Sequence, residues 1–339
     1  MAIKPDELVL RYAPALGRRT LSFTNDDHGR VQQWRDRCRQ QLQTLLALRP
    51  ASYRASRLLR EEIVGGVVCQ THLLELDAGL TIPAYLLRPA MAKSAVPVVA
   101  LHGHGEVEAL IDDRDDYHHR FGLELAKAGR IVLCPALRGF GCLYDLAAHA
   151  PGRRLDYWRW GQHMAYSAVT DAVQRGGSLI GDTVADLLAW EQWLAAYLKC
   201  DQVDVAGISY GGDLALTYPV FSSRVRSIYA SGTLGSFESI FSQGYNAPAH
   251  LIPGVLNWMD RSDIAGLNAP RPIVLHYGDL DRPSPGNFSA SLNGTVEQAV
   301  KELRNIYAAS NAEGAVQMHV TPGGDHAIDV EHLLSNMAG

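Results

Sequence analysis

One serine of the sequence lies between two glycines at the spacing Gly-x-Ser-x-Gly. Gly207 and Gly211 flank Ser209, a β-branched apolar run precedes them at 203–206, and a helix-compatible run follows at 213–218. On a tight strand-to-helix turn the backbone crowds the residues two before and two after the serine, so only glycine fits there. The turn also places the hydroxyl at a helix start, where free N–H groups favour negative charge. The pattern predicts a nucleophilic serine, whereas a glycine-rich turn with a surface serine leaves the flanking elements unexplained.

A serine hydroxyl needs a base to take its proton near neutral pH. Five histidines follow Ser209, namely His250, His276, His319, His326 and His332. His276 and His319 lie in predicted strands, which favours core positions. His326 lies in the polar glycine loop 322–326 beyond the last predicted strand, where a base can reach the serine. We therefore predict that His326 is the base.

A carboxylate is needed to orient the base and to stabilise its protonated form. Asp279 and Asp281 both follow the predicted strand 272–277. In such loops the turn glycine typically precedes the acid by three residues, and Gly278 selects Asp281 by that spacing. Asp279 is then interpreted as a turn residue.

Two backbone N–H groups are expected to stabilise a developing oxyanion. One is the N–H of Tyr210, directly after the nucleophile. The other is the N–H of His104, in the loop His102-Gly103-His104-Gly105 after the predicted strand 97–101. The glycines let this loop approach the substrate oxygen closely.

The same loop supports a rival interpretation as a metal-dependent hydrolase. Its candidate ligands are His102, His104, Glu106, Asp116, His118 and His119. This interpretation requires the six side chains to converge on one ion. It also leaves the Gly-x-Ser-x-Gly turn unexplained.

Composition excludes several classes of function. The chain has 339 residues, 47% hydrophobic and 20% charged, as expected for a globular enzyme with a sizeable core. A formal net charge of -5 predicts no nucleic-acid partner. The first residues lack the apolar segment of a signal peptide, and no run is apolar enough to span a bilayer. The five scattered cysteines contain no Cys-x-x-Cys pair. These features predict a cytoplasmic location, no membrane partner and no cofactor.

The periodicity predicts an α/β fold with a mostly parallel sheet and helices on both faces. The predicted elements are a helix capped by Asp27 and running through 31–46, a hairpin at 69–76 and 80–87, strands at 97–101, 130–135, 203–206, 225–230, 272–277 and 316–320, helices at 117–128, 178–198 and 295–309, and a closing helix after His326. We expect an N-terminal helical extension at 1–60 and a catalytic domain at 61–339. Two long excursions after strand ends, at about 142–177 and 234–266, predict cap insertions over the site.

With these motifs the sequence resembles the α/β-hydrolase superfamily, and within it the bacterial esterases related to dienelactone hydrolase and acetyl xylan esterase. The resemblance covers about 60–335 and is carried by 101–105, 137–141, 207–212, 269–272, 278–281 and 323–326. It implies a carboxylic-ester hydrolase whose triad is Ser209, Asp281 and His326, in the chain order of this fold. Dienelactone hydrolases proper use a cysteine nucleophile, whereas this chain has Ser209. Several acetyl-xylan-type enzymes are hexameric, so a homo-oligomer is an open possibility.

The predicted reaction is hydrolysis of a small-molecule ester through an acyl-enzyme. Two alternatives from other classes stay open beside the metal-dependent hydrolase. One is a peptidase or amidase on the same triad. The other is a ligand-binding protein of the same fold without catalysis, which has no need of an intact nucleophile, acid and histidine.

Overall fold

The structure is a computed structural model that describes residues 19–49, 52–77, 79–143, 165–237, 248–281 and 295–337. The strands are β1 Tyr53–Val64, β2 Val67–Leu76, β3 Thr81–Arg88, β4 Val98–Leu101, β5 Val132–Pro135, β6 Val203–Ile208, β7 Val225–Ser231, β8 Ile273–Gly278 and β9 Val316–Thr321. The α-helices are α1 Val31–Leu45, α2 Phe121–Lys127, α3 Tyr166–Gln174, α4 Leu179–Leu198, α5 Tyr210–Thr217, α6 Arg261–Gly266, α7 Val296–Ala309 and α8 Val330–Met337. Short 3-10 helices lie at Asn25–Arg30, Val107–Leu110, Gly141–Leu143, Tyr218–Phe221, Pro248–His250, Val255–Asn257 and Glu313–Ala315.

All nine strands form one sheet in the order β1-β2-β3-β5-β4-β6-β7-β8-β9. Pairing is antiparallel from β1 to β5 and parallel from β5 to β9. The central strands β4 and β6 are buried along their whole length, as expected for parallel strands covered on both faces. The one charged residue of β6, Asp204, is paired with Arg130 and Arg226. The predicted sheet flanked by helices is confirmed.

The first strand was not predicted. β1 is exposed along nearly all of its length and carries charged residues on both faces. It lies at the sheet edge and pairs with β2 alone, so no alternation of apolar and polar residues marks it. β1 runs across residue 60, where the sequence suggested the domain boundary, and that division stays a prediction.

The N-terminal helix is present, but Asp27 does not cap it as predicted. Thr24 is the capping residue of the preceding 3-10 helix, and its backbone N–H donates to Asp27 Oδ2 at 2.9 Å. The predicted apolar stripe is buried, with Trp34, Cys38 and Leu42 facing inward. Trp34 Nε1 donates to the carbonyl of Leu21 at 2.8 Å, which fastens the helix to the chain before it.

The two predicted cap insertions are described in part. Residues 144–164 of the first and 238–247 of the second lie outside the described residues, so the cap itself stays a prediction. The described parts contain α3 in the first and α6 in the second. None of the helices described combines the length and apolar character that crossing a membrane requires.

The parallel part of the sheet determines where a site can form. The carboxyl ends of parallel strands meet at one edge, and the loops that follow them lie side by side. The segments that follow β4, β6, β7, β8 and β9 begin at 102, 209, 232, 279 and 322. The predicted nucleophile, acid, base and oxyanion donors all lie in these segments.

Candidate active site

Ser209 lies at the turn between β6 and α5 in a strained backbone conformation. Its φ is 57° and its ψ is -120°, a region that residues with a side chain rarely occupy. A Cβ on Gly207 would overlap the carbonyl oxygen of Gly211, and a Cβ on Gly211 would overlap that of Leu101. Both glycines are therefore required by backbone crowding, which is the reason inferred from the sequence. Ser209 itself is 4% exposed.

The structure brings Asp281 and His326 together. His326 Nδ1 lies 2.9 Å from Asp281 Oδ2; the carboxylate is buried, and the His326 side chain is 10% exposed. Asp279 instead accepts a hydrogen bond from the Gly323 N–H at 2.7 Å, which joins the loops after β8 and β9. With Nδ1–H donated to the carboxylate, Nε2 of His326 carries a lone pair. That nitrogen is buried and has no hydrogen-bond partner among the described residues.

Backbone contacts join this pair to the serine. Ser209 N–H donates to the carbonyl of Ser231 at 2.9 Å. The next residue is Gly232, where a Cβ would lie 2.8 Å from Cε1 of His326 and 2.9 Å from Nδ1. One short stretch after β7 therefore touches the nucleophile turn on one side and the imidazole on the other. The three predicted triad residues therefore lie together at the carboxyl ends of the parallel strands.

The loop after β4 lies against Ser209. Gly103 lies against the serine, since a Cβ there would be 3.0 Å from the Ser209 Cβ. The Gly103 N–H donates to His118 Nε2 at 2.8 Å, so it is already used. Tyr117 donates its hydroxyl to the carbonyl of His104 at 2.7 Å and holds the loop in place. The N–H groups of His104 and Tyr210 stay the predicted oxyanion donors.

Three of the four histidines of the rival metal interpretation bond the backbone instead. His102 Nδ1 lies 2.8 Å from the carbonyl of Gly103, and its Nε2 accepts the Leu137 N–H at 3.2 Å. His118 pairs with Asp116 through Nδ1, and His119 Nδ1 lies 3.0 Å from the Ile328 carbonyl.

Burial and, to a smaller extent, the neighbouring His118 together lower the pKa of His102 to about 3, so His102 is neutral near pH 7. Among the residues described, the six predicted ligands do not converge as a metal-donor group. His102 and His118 support the loop after β4.

A second carboxylate–imidazole pair lies beside the serine, and sequence reasoning missed it. Asp213 is one helical turn after Ser209 and makes a short contact with Nδ1 of His250. Asp213 is also bonded to Arg261 and to the Thr233 hydroxyl. The only sequence signal is an aspartate four residues after the serine, on the same face of the helix.

Two neighbouring rings hold His250 beside the loop after β4 and beside the residue that follows Ser209. Its ring stacks on that of His104 at a centroid distance of 5.5 Å and meets Tyr210 edge-on at 5.4 Å. Burial lowers the pKa of His250 to about 4, so the imidazole is neutral near pH 7. Because Nδ1–H faces Asp213, Nε2 carries the lone pair.

Three buried Nε2 atoms in this region have no partner among the described residues. They belong to His104, His250 and His326. A buried polar atom without a hydrogen bond costs about 1–3 kcal/mol, and such atoms in folded proteins call for a specific explanation. All three belong to residues close to the turn at Ser209, where a substrate could supply the missing hydrogen-bond partners.

Comparison with solved structures identifies the fold, although neither a protein-family model nor a curated protein matches this sequence. A Bacteroides fragilis protein assigned as an acetyl xylan esterase superposes with a TM-score of 0.69 at 16% identity, over 94% of this chain and 84% of that one. The chain has the α/β-hydrolase fold. A glucuronoyl esterase from Solibacter usitatus gives 0.60 at 11% identity, over 97% and 98%. Acetyl xylan esterase 1 from a Thermoanaerobacterium species gives 0.56 at 17% identity, over 94% and 95%. The α/β-hydrolase fold predicted from the sequence is confirmed.

The contact between Gly232 and His326 leads to a first prediction. If His326 acts on Ser209, Gly232→Ala should lower kcat/KM for p-nitrophenyl acetate about 100-fold, because the new methyl group displaces the imidazole. Gly254→Ala is the matched control. Both glycines have positive φ, 56° and 77°, but the nearest atom to a Cβ on Gly254 is 3.8 Å away. Both variants should lose about 1–2 kcal/mol of stability in urea unfolding. Equal kcat/KM in the two variants would contradict the assignment of His326.

Proposed function

We propose that this protein is a serine carboxylesterase with Ser209 as nucleophile, His326 as base and Asp281 as the acid that orients it. The hydrogen bond from His326 to Asp281, formed beside a serine held on a strained turn, carries the proposal. An imidazole that is oriented by a carboxylate at Nδ1 and whose buried Nε2 has no partner among the described residues is the group that a serine hydroxyl needs as proton acceptor. The names of the structural neighbours support ester hydrolysis, since those proteins are described as esterases.

In the proposed mechanism the Ser209 oxygen attacks the ester carbonyl while His326 Nε2 takes the hydroxyl proton. The negative oxygen of the tetrahedral intermediate is stabilised by the N–H groups of Tyr210 and His104. His326 then gives its proton to the leaving alcohol, and an acyl-enzyme remains. Water attacks the acyl-enzyme with His326 again as base, which releases the acid and restores the serine. Asp281 holds the imidazole and stabilises its protonated form.

Replacement of Ser209 tests the proposal. Ser209→Ala should lower kcat for p-nitrophenyl acetate by about 10⁴-fold or more and abolish covalent labelling by a fluorophosphonate. Ser56→Ala, on the exposed edge strand, should behave as wild type. Parallel rates on p-nitroacetanilide separate an esterase from an amidase on the same residues. Undiminished hydrolysis and labelling in Ser209→Ala would exclude this serine as the nucleophile.

The two aspartates after β8 provide a matched pair of variants. Asp281→Asn should lower kcat by about 10³–10⁴-fold, because an amide holds the imidazole in the wrong tautomer and does not stabilise its charge. Asp279→Asn should stay within about threefold of wild type, since its side chain bonds the turn at Gly323. Comparable losses in the two variants would show that Asp281 has no special role.

We further propose that His250 recognises a hydroxyl group on the alcohol part of the ester. Its Nε2 is a hydrogen-bond acceptor fixed by Asp213 through the opposite ring nitrogen, and it is buried beside Tyr210. An acceptor of this kind favours a substrate that donates a hydrogen bond over an isostere that does not. Esters of polyols or sugars have such hydroxyl groups.

Two small esters of similar shape test this role. His250→Phe should lower kcat/KM for 2-hydroxyethyl acetate about 5–100-fold, because one buried hydrogen bond is lost. For propyl acetate, which has a methyl group in place of the hydroxyl, the change should stay within about threefold. A loss of the same size on both esters would assign His250 to packing, and no loss on either would remove it from the site.

A further inference from the structure

A second cluster of histidines lies on the edge of the sheet, outside the proposed triad. His276 and His319 are register partners on β8 and β9, and Asp329 directly precedes α8. In the described part of the chain, these three side chains offer ligand atoms that all lie within 4.8 Å of one another. Nε2 of His319 and Oδ2 of Asp329 are 3.3 Å apart. Neighbouring ligands of a tetrahedral zinc ion are separated by about 3.3 Å when each metal–ligand distance is about 2.0–2.1 Å.

All three ligand atoms converge on one hydroxyl group. The Thr321 oxygen lies 3.0 Å from His276 Nε2, 3.3 Å from His319 Nε2 and 2.6 Å from Asp329 Oδ2. The hydroxyl donates its one proton to the carboxylate, the strongest acceptor of the three, and its oxygen accepts from an imidazole N–H. The three ligand atoms therefore surround one position, which the Thr321 oxygen occupies in this structure.

The surrounding residues orient the two ligands that lie deepest. His276 Nδ1 lies 2.7 Å from the Ser231 hydroxyl, so its Nε2 points at the cluster. Asp329 accepts the His332 N–H at 2.9 Å with Oδ1, which caps α8 and leaves Oδ2 for the cluster. Supporting hydrogen bonds of this kind are what metal ligands in proteins have.

The third ligand is held by stacking. The His332 ring lies parallel to that of His319 at a centroid distance of 3.7 Å, and Tyr229 OH is 3.0 Å from His332 Nδ1. His319 and Asp329 have side chains that are 34% and 21% exposed, so an ion can reach the cluster from solvent.

We propose that His276, His319 and Asp329 bind a divalent transition-metal ion, with Zn²⁺ as the best match to two imidazoles and one carboxylate. Calcium and magnesium prefer oxygen ligands alone, so they fit this set poorly. The Thr321 hydroxyl either turns away, so that water is the fourth ligand of the ion, or is itself a ligand at that fourth position. The site joins β8, β9 and the start of α8. The loop that contains His326 begins after residue 321 and ends at residue 329. A bound ion therefore fixes both ends of that loop.

Metal titration of the purified chain tests the site. Wild-type protein freed of metal with a chelator should bind one Zn²⁺ per chain in calorimetry. Its Tm should rise by about 3–6 °C at a hundredfold excess over Kd. Co²⁺ should give the intense visible absorption of a four-coordinate ion. His319→Gln and Asp329→Asn should each weaken Zn²⁺ binding at least about 10-fold and remove the rise in Tm. His28→Gln, an exposed histidine bonded to Asn305, is the matched control and should bind as wild type does.

Two outcomes would overturn the site. One is absence of zinc binding by the wild-type chain up to about 100 μM. The other is equal affinity in the wild type, His319→Gln and Asp329→Asn, with urea unfolding used to show that both variants are folded. Neither outcome bears on the serine chemistry, because fluorophosphonate labelling of the metal-free wild type reports on Ser209 separately. Conversely, a Ser209→Ala chain that keeps its zinc affinity shows that the two sites are independent.

Discussion

The site depends on one close approach of backbone to backbone, at the turn between β6 and α5. Leu101 and Gly207 are register partners on neighbouring strands, and the carbonyl of Leu101 faces the first turn of the helix at Gly211. Every residue of β6 and α5 is buried. A non-glycine residue in a sparsely populated conformation costs on the order of 1–3 kcal/mol and persists only where its surroundings leave no alternative. At Ser209 the surrounding core supplies that constraint.

Glycines also allow the close backbone contact that brings Asp281 and His326 together. A Cβ on Gly278 would overlap the carbonyl oxygens of Gly324 and Asp325, so the loops after β8 and β9 meet backbone to backbone. Leu280 N–H donates to Gly324 at 2.8 Å across that contact. Asp281 and His326 follow these two contact points directly, which explains how residues 45 positions apart in the chain form a hydrogen bond.

The sequence predicted the parts of the site that local backbone geometry determines. Gly207, Ser209 and Gly211 were recognisable because a single turn dictates their spacing, and buried strands were recognisable from their apolar runs. β1 was missed because an edge strand exposed on both faces has no periodic signal. The pairing of Asp213 with His250 was missed for another reason. Its partners are 37 residues apart, and no local pattern links a helix aspartate to a histidine beyond the next strand.

Three histidines of this region, His118, His250 and His326, pair with a carboxylate through Nδ1. They differ in the hydrogen-bond partner of the other ring nitrogen, Nε2, and this difference determines the chemistry open to each. In His118 that nitrogen accepts the Gly103 N–H, so the pair with Asp116 is a structural brace. In His250 and His326 it has no partner among the residues described.

His250 and His326 also differ in the carboxylate that each ring faces, which is Asp213 for His250 and Asp281 for His326. Asp213 shares its charge with the Arg261 guanidinium, so little is left to stabilise a protonated His250. Burial lowers the pKa of His250 to about 4. An imidazole with so low a pKa can accept a hydrogen bond from a substrate, but it is a weak base for a serine hydroxyl. The proposed base, His326, and the proposed recognition residue, His250, therefore differ in basicity as well as in position.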